Sequence, residues 1–146
     1  MSIQDFSKKR ITVLGAGISG RSAALALARH GAEVTLSDMK EHDLQEEPWT
    51  SLVKEGIICS FGYQDESLLD EADIIVPSPV ISPETPLLKA ASARQIPVWS
   101  EVEVAVHVTD AEFIGITGTN GKTTTTVLTG EIMKATGRQT VVGGNI

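Results

Sequence analysis

The feature that most constrains the fold is Gly15-Ala16-Gly17-Ile18-Ser19-Gly20, set between an apolar run and an alanine-rich stretch. Arg10 to Leu14 before it reads as a buried strand. Ile18 to His30 after it reads as a helix, free of proline and followed by Gly31 as a stop. Val34-Thr35-Leu36-Ser37 then reads as a second strand. Strand, glycine turn, helix and strand within about thirty residues make the βαβ unit of a parallel sheet. In such a turn the first glycine permits the tight bend, the second lets a phosphate reach the backbone, and the third lets the helix pack on the sheet. The setting points to a nucleotide or phosphate role, with a plain tight turn as the alternative, and leaves the ligand unnamed. Asp38 closes the second strand about 18 residues after Gly20, where an acid can take a ribose hydroxyl. A solvated strand-end carboxylate is the other reading. Lys40 can reach a phosphate or a base, or stand in solvent.

Strands and helices continue to alternate. Trp49 to Glu55 reads as a short helix, Ile57 to Ser60 as strand three, Asp65 to Asp70 as a helical turn and Ile74-Ile75-Val76 as strand four. That strand stops at Pro77-Ser78-Pro79, because proline cannot donate to a central ladder. A helix runs from Ser82 through Arg94, Ile96-Pro97-Val98-Trp99 reads as a fifth strand, and Glu101 to Val108 is helical in character. The expectation is an α/β fold with a Rossmann-like, five-stranded, mainly parallel sheet over residues 1–108. Ser78 and Pro79 follow strand four, and loops at the carboxyl ends of parallel strands are where such sheets bind ligands. A rigid connection explains them equally well.

The pattern restarts at residue 109. Ala111 to Ile116 reads as a strand, Lys122 to Thr136 as a helix and Thr140-Val141-Val142 as another strand. Between the first two lies Gly118-Thr119-Asn120-Gly121-Lys122-Thr123-Thr124, which has the makings of a nucleoside-triphosphate site. Backbone N–H groups of a glycine-rich turn at the positive end of a helix form an anion site. Lys122 adds a mobile charge, and Thr123 offers a hydroxyl to a phosphate-bound Mg²⁺. Thr124 to Thr126 are poor helix formers that can bond phosphates or cap the backbone. The general P-loop pattern wants glycine five residues before Gly121, and that position holds Ile116. The match is therefore to the narrower Gly-Thr-Asn-Gly-Lys-Thr. Residues 109–146 are too few to bury a core of their own, and read as the opening of a second, larger domain. The chain is accordingly expected to be a piece of a longer protein.

Net charge is −7 over 146 residues, which argues against non-specific binding to nucleic acid or anionic membranes. No apolar run approaches the roughly 18 residues of a membrane span, so membrane insertion is not expected. Cys59 is the one cysteine, which excludes an intrachain disulfide and fits a reducing compartment. It sits in Ile57-Ile58-Cys59 and reads as a small core residue. The reading is cytoplasmic. His30, His42 and His107 lack metal-ligand spacing, and Trp49 and Trp99 read as core.

Two different phosphate loops about a hundred residues apart, each on its own βα turn, resemble those of the Mur ligases. The residues carrying the resemblance are Gly15 to Gly20, Ser78-Pro79, Gly115 to Thr124 and Gly143-Gly144-Asn145-Ile146, along the whole chain. The amino-terminal loop is most similar to that of the branch that adds D-glutamate. The resemblance implies an ATP-dependent ligase of peptidoglycan synthesis, a cytoplasmic cell-wall enzyme. It would join D-glutamate to UDP-N-acetylmuramoyl-L-alanine through an acyl phosphate, with ATP and Mg²⁺. It implies a UDP-substrate domain at 1–108 and the start of the ATP-binding domain at 109–146.

By position, Gly15, Gly17, Ile18, Ser19 and Gly20 match the turn that holds the diphosphate. Asp38, Met39 and Lys40 match the edge that meets the uridine, together with Ser78 and Pro79. Asn145 matches a residue reaching the substrate from the central domain. Gly118 to Thr124 match the ATP loop, with Thr123 toward Mg²⁺. Val80 stands where the family often has Gly after Ser-Pro. The catalytic set is incomplete in this chain, so the expectation is inactivity alone, with weak UDP or UDP-sugar binding at most. The whole enzyme is expected to be a monomer; in this chain the segment from Ala111, with its unpartnered strand edges, is expected to be disordered, folded back, or paired with a second copy. The sequence leaves two other readings. One is a non-catalytic nucleotide-binding module. The other is an NAD-dependent oxidoreductase domain, for which the second loop has no purpose.

Overall fold

A computed structural model describes residues 5–144. The chain folds as two compact units, Met1–Ala111 and Glu112–Ile146.

The first unit is built on a parallel sheet of β1 (Arg10–Leu14), β2 (Glu33–Asp38), β3 (Ile58–Phe61) and β4 (Ile74–Pro77). Its order is β3-β2-β1-β4. Thr12 is in register with Thr35 on one side and Ile75 on the other. Side chains of a strand alternate between faces, and the burial follows. Ile11, Val13, Val34, Leu36, Ile74 and Val76 point to one face, Leu14 and Ile75 to the other. Helices α1 (Ile18–Arg29), α2 (Trp49–Lys54) and α4 (Glu101–His107) cover the first face, and α3 (Pro86–Ala93) covers the second beside β4.

In α1 the buried positions are Gly20, Ala23, Ala24 and Leu27, the i, i+3, i+4, i+7 spacing of one helix stripe. Small side chains bring its axis close to the sheet. Leu27 is fully buried at the end of the stripe, which contributes about 1.5–3 kcal/mol. The helix stops where Gly31 turns into the left-handed region at φ 91°, and the Gly31 and Ala32 N–H groups close onto Ala28 and Leu27 carbonyls.

The expected fifth strand is not a strand. Val98 makes a single parallel bridge to Ile75, with Ile75 N–H donating to Pro97 O and Trp99 N–H to Ile75 O, both at 2.9 Å. Pro97 has no N–H to extend the ladder backward. One residue beyond Trp99, Ser100 already caps α4 through a capping box with Glu103. The sheet is therefore four-stranded.

The second unit holds α5 (Lys122–Ala135). Its one buried helix residue is Gly130, because Val142 lies where a side chain would stand. Arg138 pairs with Glu112 at 2.8 Å, joining the segments that flank the helix. The strands expected at 111–116 and 140–142 are not formed among the described residues. A strand exists by pairing, and these segments find no partner there; Phe113, Ile114 and Val141 remain exposed.

Candidate functional site

Four backbone ends meet at the carboxyl edge of the sheet. Gly15 follows β1 with φ +96°, a conformation that favours glycine, and its N–H donates to Ser37 O of β2 at 2.7 Å. A Cβ at Gly15 would stand 2.8 Å from Ser78 Cβ, so the turn and the loop after β4 touch here. A Cβ on Gly20 would collide with the Gly15 carbonyl. Gly17 is different: nothing lies within 4 Å of the space its side chain would take. It is also the N-cap of α1 and supplies no side-chain cap. The first N–H groups of a helix lack intrahelical partners, so this turn offers donors, a positive dipole end and open space to an anion.

The turn is held from two sides. Asp38 Oδ2 accepts from Ala16 N–H at 2.7 Å, and the Arg21 guanidinium donates to Ala16 O at 3.4 Å. Asp38 Oδ1 accepts from Lys40 N–H at 2.9 Å. Both carboxylate oxygens thus have backbone partners, and Asp38 fastens the end of β2 to the glycine turn. Arg21 also lies 5.5 Å from the centre of the Trp49 ring. His42 and Phe61 pack on that ring at 4.3 and 5.0 Å.

These ends enclose a cavity of about 250 Å³ lined by Gly15, Gly17, Asp38, Met39, Gln64 and Ser78, with Val80 and Ile81 along one wall. Five of the residues expected from sequence therefore converge. Ile18, Met39 and Val80 are 78%, 66% and 90% exposed, and apolar residues so open flank the turn and the loop after β4. Ile18, Ser19, Gly20, Lys40 and Pro79 do not line the cavity, though Ile18, Lys40 and Pro79 each neighbour a residue that does. Asn145 lies outside the described residues. Gln64 and Ile81 were not expected; nothing in a short loop after β3 marks a glutamine as a wall of a cavity formed by other loops. A larger open trough of about 460 Å³ lies at the amino ends of the strands, against Arg10, Glu33 and Ile58. It gathers none of the expected residues, and open α/β sheets bind ligands at the other end.

In the second unit, Gly121 is the N-cap of α5 at φ 75°, again without a side-chain cap. Lys122 Nζ folds back, donating to Gly118 O at 2.6 Å and Thr119 O at 3.2 Å. Thr126 Oγ1 donates to Lys122 O at 2.8 Å, so that hydroxyl serves the helix. Gly118 to Thr124 are all exposed. Among the described residues no group of three or more His, Cys, Asp or Glu side chains could hold a metal ion. Magnesium takes oxygen ligands and often keeps water and phosphate among them. With Thr123 as the hydroxyl at the start of the helix, the loop suits a metal–phosphate complex better than a bare ion. Cys59 is half-buried, and that burial pushes its thiol up, as in a packing residue. No described helix is long and apolar enough to cross a membrane.

Comparison with known proteins gives one family. Residues 9–100 match the family described as Mur ligase MurD-like, N-terminal domain. The chain is 40% identical over 146 residues to the UDP-N-acetylmuramoylalanine–D-glutamate ligase of Bacillus pumilus, covering 99% of this chain and 32% of that protein. It is 41% identical over 145 residues to the enzyme of the same name from Streptococcus pyogenes serotype M49, with the same coverage. The chain thus spans about a third of the length of these relatives. Among solved structures, a pseudomurein peptide ligase type C of Methanothermus fervidus matches with TM-score 0.58 and 30% identity, over 89% of this chain and 27% of that one. A murein peptide ligase of Psychrobacter arcticus matches with TM-score 0.62 and 25% identity, over 88% and 27%.

Proposed function

The chain belongs to the MurD-like family of Mur ligases, matching its N-terminal domain over residues 9–100, and from that premise we propose that its first unit holds the UDP end of UDP-N-acetylmuramoyl-L-alanine. The observation that carries this reading is the cavity of about 250 Å³ where Gly15, Gly17, Asp38, Met39 and Ser78 meet. In this reading the diphosphate lies over the open Gly17 and the N–H groups of Ile18, Ser19 and Gly20, where the α1 dipole favours negative charge. The uridine enters the cavity toward Met39 and Ser78, with Lys40 and Pro79 beside it. Asp38 keeps the turn in shape through Ala16.

The second unit begins the ATP site in this proposal. Gly118 to Thr124 cradle the triphosphate, and Lys122 leaves the Gly118 and Thr119 carbonyls for the β/γ-phosphates. The exchange is favourable because a phosphate carries full charges where a carbonyl carries a dipole. Thr123 would hold Mg²⁺ with the ATP; that ion supplies neutralisation of charge on the phosphates. Phosphoryl transfer depends mainly on positioning and such neutralisation. In the whole ligase, the substrate carboxylate attacks the γ-phosphorus and ADP departs. The amine of D-glutamate then attacks the acyl phosphate, and the tetrahedral intermediate collapses to an amide and inorganic phosphate. Asn145 would reach the substrate from this side. The 146-residue chain by itself is a cytoplasmic nucleotide binder without ligase activity.

Calorimetric titration tests the reading. UDP binds this chain and raises its melting temperature, while NADH at equal concentration does neither. Stabilisation by NADH and not by UDP would overturn the proposal in favour of a dinucleotide site.

A further inference from the structure

The sequence has five arginines, Arg10, Arg21, Arg29, Arg94 and Arg138. Four of them pair with Asp or Glu side chains at 2.8–3.3 Å. Among the described residues Arg21 alone pairs with no carboxylate, in a chain whose net charge is −7. The polar side chains near it are engaged within the chain. Asp38 accepts from Ala16 N–H and Lys40 N–H, and Gln64 Nε2 donates to Ser37 O at 3.2 Å. Arg21 lies one turn into α1, where its N–H donates to Gly17 O at 3.0 Å. Helix side chains lean toward the amino end, and this half-buried one reaches back until Nη1 is 3.4 Å from Ala16 O. That contact is long for an N–H···O bond, and it leaves most of the five guanidinium donors free. Ala16 O and Gly17 N belong to one peptide group, about 2.3 Å apart, so Nη1 stands within about 6 Å of the Gly17 N–H. The guanidinium carbon is also 5.5 Å from the centre of the Trp49 ring, on which His42 and Phe61 pack. An arginine resting on a fixed aromatic ring is partly ordered before any ligand arrives.

Resting on the UDP reading above, we propose that Arg21 is a further binding residue for the diphosphate, the full positive charge beside the turn from Gly17 to Gly20. The helix end supplies roughly half a charge, which leaves most of a diphosphate's charge unmatched. On binding, the guanidinium exchanges Ala16 O for a phosphate oxygen. A charge-assisted bond of that kind is shorter and stronger than one to a neutral carbonyl. Arg21 does not line the cavity assigned to the uridine, so its contribution falls on the phosphate end of the ligand alone.

The test compares UDP and uridine binding to the 146-residue chain and to Arg21→Met, at low and high salt, with melting temperatures as a check on folding. Methionine keeps a flexible apolar stem against Trp49 and removes the charge. Arg21→Met loses about tenfold in UDP affinity, the scale of one charge-assisted hydrogen bond. Its UDP affinity also depends less on salt, and its uridine affinity matches that of the unsubstituted chain. Unchanged UDP affinity in a folded Arg21→Met overturns the assignment while leaving the UDP site intact. Equal losses for UDP and uridine also overturn it, since they would make Arg21 a packing residue of the turn. Failure of UDP to bind the unsubstituted chain overturns both readings. Should Arg21→Met not fold, the guanidinium N–H signals of Arg21 in the unsubstituted chain decide. They shift on addition of UDP and stay in place with uridine; no shift with UDP, or an equal one with uridine, overturns the proposal.

Discussion

At the scale of single residues, the site depends on where a side chain is missing as much as on where one is present. Gly20 lies under the Gly15 carbonyl, whereas Gly17 faces open space. Gly20→Ala must push α1 off the turn, and we expect a loss of about 1–3 kcal/mol in unfolding experiments, the usual cost of overpacking. Gly17→Ala meets no protein atom within 4 Å, so it leaves the melting temperature nearly unchanged and weakens UDP binding, because its methyl group stands where a phosphate would approach. The two glycines thus separate by readout, one by stability and one by affinity. Asp38→Ala leaves the part-buried Ala16 N–H without its 2.7 Å acceptor, which costs about 1–3 kcal/mol. Asp38→Asn retains a side-chain oxygen for that N–H and recovers most of the loss. Equal losses for the two variants would show that the Ala16 contact does not hold the turn.

At the scale of elements, α4 starts where Ser100 Oγ accepts Glu103 N–H at 3.2 Å and Glu103 Oε2 accepts Ser100 N–H at 2.6 Å. Ser100→Ala lowers stability by about 1 kcal/mol, measured in urea. The Ser100 backbone N–H first, and its hydroxyl second, hold the Glu103 carboxyl below its ordinary value of 4.5. A carboxyl whose pKa is lower folded than unfolded contributes stability that is complete above the unfolded value. That contribution is lost as pH falls through the folded one. Melting temperatures of the parent chain and Glu103→Gln therefore converge on acidification below about pH 4.5. The elements of the first unit were legible because each carries a local signal: short apolar runs in β1 and β4, apolar alternation in β2 and the i, i+3, i+4, i+7 stripe from Gly20 to Leu27. What was not legible depended on partners. Ile96 to Trp99 has strand-like residues, but Pro97 and the Ser100 cap leave room for one bridge only. Phe113 and Ile114 have strand propensity and no neighbour to pair with among the described residues. The candidate site divides the same way. Gly15, Gly17 and Asp38 follow from a motif with fixed spacing, whereas Gln64 belongs to the cavity only through the carbonyl of Ser37, which no sequence pattern announces.

At the scale of the whole molecule, the two units differ in what holds them. The first buries two apolar clusters on opposite faces of its sheet. The second leaves Phe113, Ile114, Val127, Leu128 and Ile132 about half exposed. Apolar surface of that kind favours association, and we expect light scattering to show an average mass that rises with concentration, and to show a monomer for a chain ended after Ala111. The shorter chain keeps the cavity and therefore keeps UDP binding. Everything proposed for the first unit depends on the turn from Gly17 to Gly20 receiving a diphosphate. The most direct measurement of that is a titration of UDP into the isotopically labelled 146-residue chain, following backbone amide signals. Saturable shifts are expected, centred on Gly17, Ile18, Ser19 and Gly20, with smaller ones at Met39 and Ser78. Amide signals of Gly17 to Gly20 that stay fixed while UDP is raised to millimolar concentration would contradict it.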